Sequence, residues 1–200
     1  SDFTWIHTRN AAADHTLTDS VRGVSQLLSS NTTAAQSNQS PNGLTAFNLD
    51  GFTVQDTSSG GAGVNGASGG GNSGTPPDYV SWNWKAAATT TTIAANTVGN
   101  TIASDVRAST ESGFSIVSYT GNSTTGATVG HGLSEVPEII IVKRLQTPVD
   151  NWAVYNVTIG NSYRLALDDP AAKSGPNRLE WNNTTPTSTV FTHQSPECLT

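Results

Sequence analysis

The sequence has no methionine, a single cysteine and few charges, and each scarcity excludes something. Cys198 has no partner within the chain, so no internal disulfide staples the fold, and it is read as a free thiol. Charged residues make up 12% of the chain, against about 25% in ordinary soluble domains. Lys and Arg together number nine, are scattered, and leave a net charge of −6. Neutralising phosphates needs clustered cations, so no nucleic-acid partner is expected. No apolar run approaches the roughly 18 residues of a membrane span, and Ser1 opens no signal-peptide pattern. No membrane insertion is expected. The missing methionine implies a removed initiator or a piece of something longer.

Ser, Thr, Asn and Gly fill the gap left by charge. That composition suits an all-β chain, because Thr fits a pleated strand while Asn and Gly fit turns. Short β-type runs punctuate the 200 residues at Phe3 to His7, Phe52 to Val54, Tyr79 to Trp84, Phe114 to Tyr119, Ile139 to Val142, Trp152 to Tyr155, Tyr163 to Leu167 and Ser188 to Thr192. Val80, Trp82 and Trp84 share a face by the two-residue period. Ile139 to Val142 is apolar throughout, as in a strand covered on both sides. Residues 58–77 are Gly/Ser/Asn-rich and read as a long loop. Residues 86–112 are Ala/Thr/Asn-rich, hold few large apolar groups, and read as an extended linker.

An internal repeat organises the chain. Placing Gly23 on Gly160 brings Ala34-Ala35 onto Ala171-Ala172, Leu17 onto Val154 and Leu28 onto Leu165. With one gap, Asp2 to Ile6 matches Glu138 to Val142. Further on, Gly51 to Thr53 matches Val190 to Thr192. Val21, Val24 and Leu28 have helical spacing, but their counterparts lie in and before a strand pattern, so strand or irregular structure is expected there. The copies differ at their ends. Tyr79 to Trp84 closes the first copy and has no counterpart in the second, while Gly113 to Pro137 opens only the second. Either the chain is cut at both ends or copies exchange strands, since an unpaired sheet edge is a liability.

Gly113 to Asn122, Ala127 to Leu133 and Ile140 to Lys143, followed by Asn151 to Tyr155, Trp181-Asn182-Asn183 and Pro186 to Phe191, resemble the repeated β-rich domain of virion structural proteins, tail fibre-like, from marine and aquatic bacteriophages. Trp5-Ile6, Asp19 to Gly23, Gly51-Phe52 and Tyr79 to Ala86 resemble its companion unit. The Gly-rich stretch is longer than that pattern, and His193 to Thr200 lacks its closing strand. The resemblance implies a non-enzymatic structural role and carries no catalytic residues.

Chemical motifs are weak beside this. Gly61 to Gly66 fits a dinucleotide fingerprint, but no strand precedes it and no helix follows. His15, Asp19 and Ser20 supply triad residue types, which geometry alone defines as a triad. A glycosidase needs two carboxyl groups roughly 5 to 9.5 Å apart. Glu135, Glu138, Asp168, Asp169 and Glu180 are its candidates, though Asp168-Asp169-Pro170 reads better as a turn. No metal-ligand spacing appears, so no catalytic, cofactor or metal residue is assigned. Trp5, Trp82, Trp84 and Trp152 are expected in the core or a subunit interface. Trp181, before a polar turn, is the one candidate for stacking on a glycan, although partial burial is the favoured reading.

The resulting expectation is an all-β chain of two tandem, jelly-roll-like β-sandwich units. The first spans 1–85, a linker spans 86–112, and the second spans 113–200. The expected function is structural, in a phage tail fibre or similar virion appendage, with host-surface glycan as a ligand. Partners are other virion proteins and further copies of the chain, a trimer being favoured. A capsid decoration or head-fibre protein is the first alternative, and a polysaccharide-degrading tail enzyme the second.

Overall fold

The computed structural model describes residues 1–56, 64–66, 77–176 and 178–194. The chain is all-β, with no helix among the described residues and its strands in several small antiparallel sheets. It divides into two compact units, Ser1–Lys85 with Arg144–Asp150, and Ala86–Lys143 with the residues from Asn151 onward.

The first unit holds β1 (Phe3–Thr8), β2 (Thr16–Asp19), β3 (Gln26–Leu27), β4 (Ser37–Asn38), β5 (Gly43–Asn48), β6 (Gly51–Gln55) and β7 (Tyr79–Trp84). β1 lies between β2 and β7. Its alternation decides its faces: Thr4, Ile6 and Thr8 are buried, while Phe3, Trp5 and His7 stay partly open. Ile6 packs with Val64 in a core joined by Leu27, Phe52, Val54 and Tyr79.

The second unit holds β8 (Thr91–Ile93), β9 (Ser104–Ser109), β10 (Phe114–Tyr119), β11 (Thr128–Gly130), β12 (Ile139–Val142), β13 (Ala153–Asn156), β14 (Leu165–Ala166) and β15 (Val190–Thr192). Ile102, Ala127, Val129 and Phe191 form one core, and Ala153, Tyr155 and Trp181 another. Ile140 and Val142 of β12 pack against both.

The repeat holds in its pairings from β2 through β4. The offset that places Gly23 on Gly160 carries β2 onto β13. The bridge Leu17 to Leu28 becomes the pair Val154 and Leu165, and the pair Leu27 and Ser37 becomes the bridge Arg164 to Ser174. The turns match in chemistry too. Asp19 Oδ1 accepts from the Val21 N–H at 3.0 Å, as Asn156 Oδ1 accepts from the Thr158 N–H at 2.9 Å. Gly23 and Gly160 follow with φ of 102° and 79°, donating to the Asp19 and Asn156 carbonyls. The segment Val21 to Leu28 is not helical, as the repeat requires.

Residues 86–112 correct the reading of that stretch as a linker. β9 pairs with β10 along its whole length and with β8 on its other side, and Ile102 and Val106 are buried. The polar composition hid this because a side chain closes the loop where an apolar cluster was sought. Asn100, 1% exposed, donates to the Ala94 and Ile102 carbonyls and accepts from the Thr97 and Val98 N–H groups. A second correction concerns β12. It is covered on one face only, since Ile139 is 60% and Ile141 47% exposed.

A Cβ added at Gly23 or Gly160 would meet nothing within 4 Å, so the cost of a side chain there is backbone strain alone. Gly23→Ala and Gly160→Ala should each lower the unfolding free energy by about 1 kcal/mol. Chemical denaturation of both variants checks this. A cost at one site and none at the other would break the equivalence of the turns.

Candidate functional site

One face of the β1–β7 pair gathers Phe3, Trp5, Trp82 and Trp84. Directly opposed residues of an antiparallel pair share a face. The register therefore sets Phe3 beside Trp84, Trp5 beside Trp82 and His7 beside Val80. Phe3 and Trp84 meet edge to face at 5.4 Å, and Trp5 and Trp82 at 6.0 Å. Trp82 is 47% and Trp84 39% exposed. These two residues, expected in a core or interface, present indole surface to solvent in the folded unit.

His15 extends the face beyond β2. Trp5 Nε1–H donates to His15 Nδ1 at 3.0 Å, and the His7 and His15 rings lie 4.0 Å apart at 35°. The His15 backbone is fixed by Asn31 Oδ1 at 2.9 Å, and Asn31 is in turn held by Asp14. Burial lowers the His15 pKa from its ordinary 6.5. The neighbouring His7 lowers it further, and Asp14 opposes the shift. The neutral ring is the form that accepts the Trp5 N–H. A hollow of about 540 Å³ opens beside His7, lined by Ala11, Ala12, Ala13, Asp14 and Asn31. Another of about 390 Å³ lies beside Trp84, with Asp50, Phe52, Asn83 and Lys85 on its walls. The arrangement offers flat apolar rings between polar, hydrogen-bonding rims.

Trp181 is buried, the reading favoured over a glycan contact. Trp181 is 1% exposed and is packed edge to face on Tyr155 at 5.6 Å and on His193 at 5.4 Å. The polar turn after it is real, with Asn182 and Asn183 both at φ 49°, but it closes over the core. Trp152 is buried as expected.

The triad types do not converge. The Asp19 carboxylate is committed to Arg22 and to the Val21 and Arg22 N–H groups, while Ser20 Oγ donates to Asp2 at 3.3 Å. Three of the five carboxylates noted in the sequence have structural partners. Asp168 binds Trp152 N–H and Asn151, Asp169 accepts from Ala171 N–H as its turn reading requires, and Glu180 is buried against Arg178 and Arg164. Glu135 and Glu138 are exposed. Gly61, Ala62, Gly63 and Cys198 lie outside the described residues. Among the described residues no three His, Cys, Asp or Glu side chains converge as metal ligands.

His131 is the buried histidine of the second unit. Its Nδ1 accepts from the Leu133 N–H at 3.1 Å and its Nε2 faces the Thr187 carbonyl at 3.1 Å. Those partners fit one neutral tautomer, with the proton on Nε2. Burial lowers its pKa from 6.5, against the opposing pull of the Thr187 carbonyl. A histidine whose folded pKa is depressed binds fewer protons folded than unfolded. The stability that His15 and His131 contribute is therefore present above pH 6.5 and lost as pH falls from there through their lowered folded values. Denaturation midpoints should fall from pH 7 to pH 5, and His131→Gln should flatten part of that slope. A midpoint unchanged over this range would contradict the assignment.

No curated protein and no solved structure matches this chain. One family model does, the Domain of unknown function (DUF7483), over residues 1–198, and so across both units. With nearly the whole chain matched, the protein belongs to the DUF7483 family.

Proposed function

We propose that the chain is a non-enzymatic structural module of a bacteriophage virion, in a tail fibre or similar surface appendage, and that it binds host-surface glycan. The phage reading rests on the sequence resemblance, and the tandem all-β architecture agrees with it. The observation that carries the binding role is the exposed aromatic face of Trp5, Trp82 and Trp84. The C–H face of a pyranose ring is apolar while its rim is all hydroxyl. Flat indoles flanked by Asp, Asn and Lys groups complement both parts. In this reading the glycan contact lies on the first unit rather than at Trp181. The module works beside other virion proteins as a homo-oligomer, a trimer being the favoured assembly. A monomeric mass in light scattering would remove that last element.

Titration of the chain with envelope polysaccharide fragments, read by tryptophan fluorescence, tests the binding role. Trp82→Ala and Trp84→Ala should each weaken binding about tenfold, or roughly 1.4 kcal/mol, with little change in stability. Trp181→Ala should do the reverse, costing about 3–5 kcal/mol of stability while leaving affinity intact in the fraction that folds. Binding indifferent to Trp82 and Trp84 would contradict the proposal.

A further inference from the structure

β1 and β12 hold equivalent places in the two copies and differ at one edge. β1 has β2 on one side and β7 on the other, whereas β12 pairs only with β13 among the described residues. The phase of the backbone is the same in both. The bond from Arg9 N–H to Asp78 O turns the backbone groups of His7, Trp5 and Phe3 toward β7. The bond from Val157 N–H to Glu138 O turns those of Ile140 and Val142 toward β13. The N–H and C=O groups of Ile139 and Ile141 therefore point to the open edge.

The repeat places Ile139 on Phe3 and Ile141 on Trp5. In the first copy the rings of Trp84 and Trp82 lie against those side chains. In the second copy Ile139 and Ile141 remain 60% and 47% exposed. No proline or charge within β12 blunts the edge, although such devices usually protect one.

The geometry points to strand addition at β12. The occupant is an extended segment of another polypeptide, antiparallel to β12, with large apolar side chains facing Ile139 and Ile141 as Trp84 and Trp82 face Phe3 and Trp5. Main-chain bonds give such an interface its affinity and alternate side chains give it specificity. β7 of a second copy does not fit. Val80, Trp82 and Trp84 turn their backbone groups to β1, so the free edge of β7 belongs to Tyr79, Ser81 and Asn83. Joined there, Ile139 and Ile141 would share a face with Tyr79, which packs into the core of its own unit. Nor does β12 of a second copy supply what is missing. Two-fold pairing would set Ile139 against Ile141 and leave both without aromatic cover. The donor is thus a separate segment with the alternation of β7.

A peptide of residues 78–85, capped at both ends, serves as the probe, with amide exchange of the 200-residue chain followed by NMR. With peptide present, the Ile139 and Ile141 amides should exchange about tenfold more slowly, and those of Ile140 and Val142, already bonded to β13, should not change. A peptide carrying Trp82→Ser and Trp84→Ser should have no effect. Ile141→Pro in the chain removes a donor that points outward, so the fold should survive while the protection of Ile139 is lost. Unchanged exchange at millimolar peptide would overturn the inference. Slowing that needs no peptide and grows with chain concentration would assign the edge to a second copy and overturn it equally.

Discussion

The structure depends on the phase of one strand's backbone. Along β1, alternate residues turn their N–H and C=O groups to opposite sides, so a single six-residue segment binds β2 with one set and β7 with the other. The same alternation sorts the side chains into a buried row of Thr4, Ile6 and Thr8 and an outward row of Phe3, Trp5 and His7. A slip of one residue would exchange the two rows and both sets of partners. Burial of Ile6, the match of the β2 turn to the β13 turn, and the meeting of Trp5 with Trp82 therefore follow from a single register. Among the described residues β12 obeys the same phase with one partner strand, β13, and its outer isoleucines are exposed.

The functional reading grows out of the outward row. In a chain with so few charges, an exposed aromatic surface is the strongest chemical feature the first unit presents. It is held by neutral contacts: the indole N–H of Trp5 on His15, the stacked His7 and His15 rings, and the edge-to-face pairs with Trp82 and Trp84. Such a surface complements a ligand that is apolar on its face and polar on its rim. The second unit puts its aromatic residues to a different use. Tyr155 and Trp181 fill its core, and its buried Glu180 pairs with Arg164 and with the more open Arg178.

The all-β class was legible from composition, and the repeat was legible residue by residue, because both copies must satisfy one turn geometry at Gly23 and Gly160. The site was legible only in part. Spacing put Val80, Trp82 and Trp84 on one face, but a period of two does not say which face is the core. That choice is made by β1, whose buried Thr residues look polar in the sequence. For Trp181 burial outweighed the sugar contact that the polar turn after it allowed, and it fills the core with Tyr155. Residues 86–112 misled because buried Asn100 replaces the apolar cluster that composition looks for. The open face of β12 was hidden by four apolar residues in a row, which read as coverage on both sides.

The central claim is that the two copies share one strand register. Cross-strand nuclear Overhauser contacts measure that directly. The account predicts that contacts between Leu17 and Leu28 recur between Val154 and Leu165, and that those between Leu27 and Ser37 recur between Arg164 and Ser174. A second set displaced by even one residue, or absent while the first is present, would contradict it.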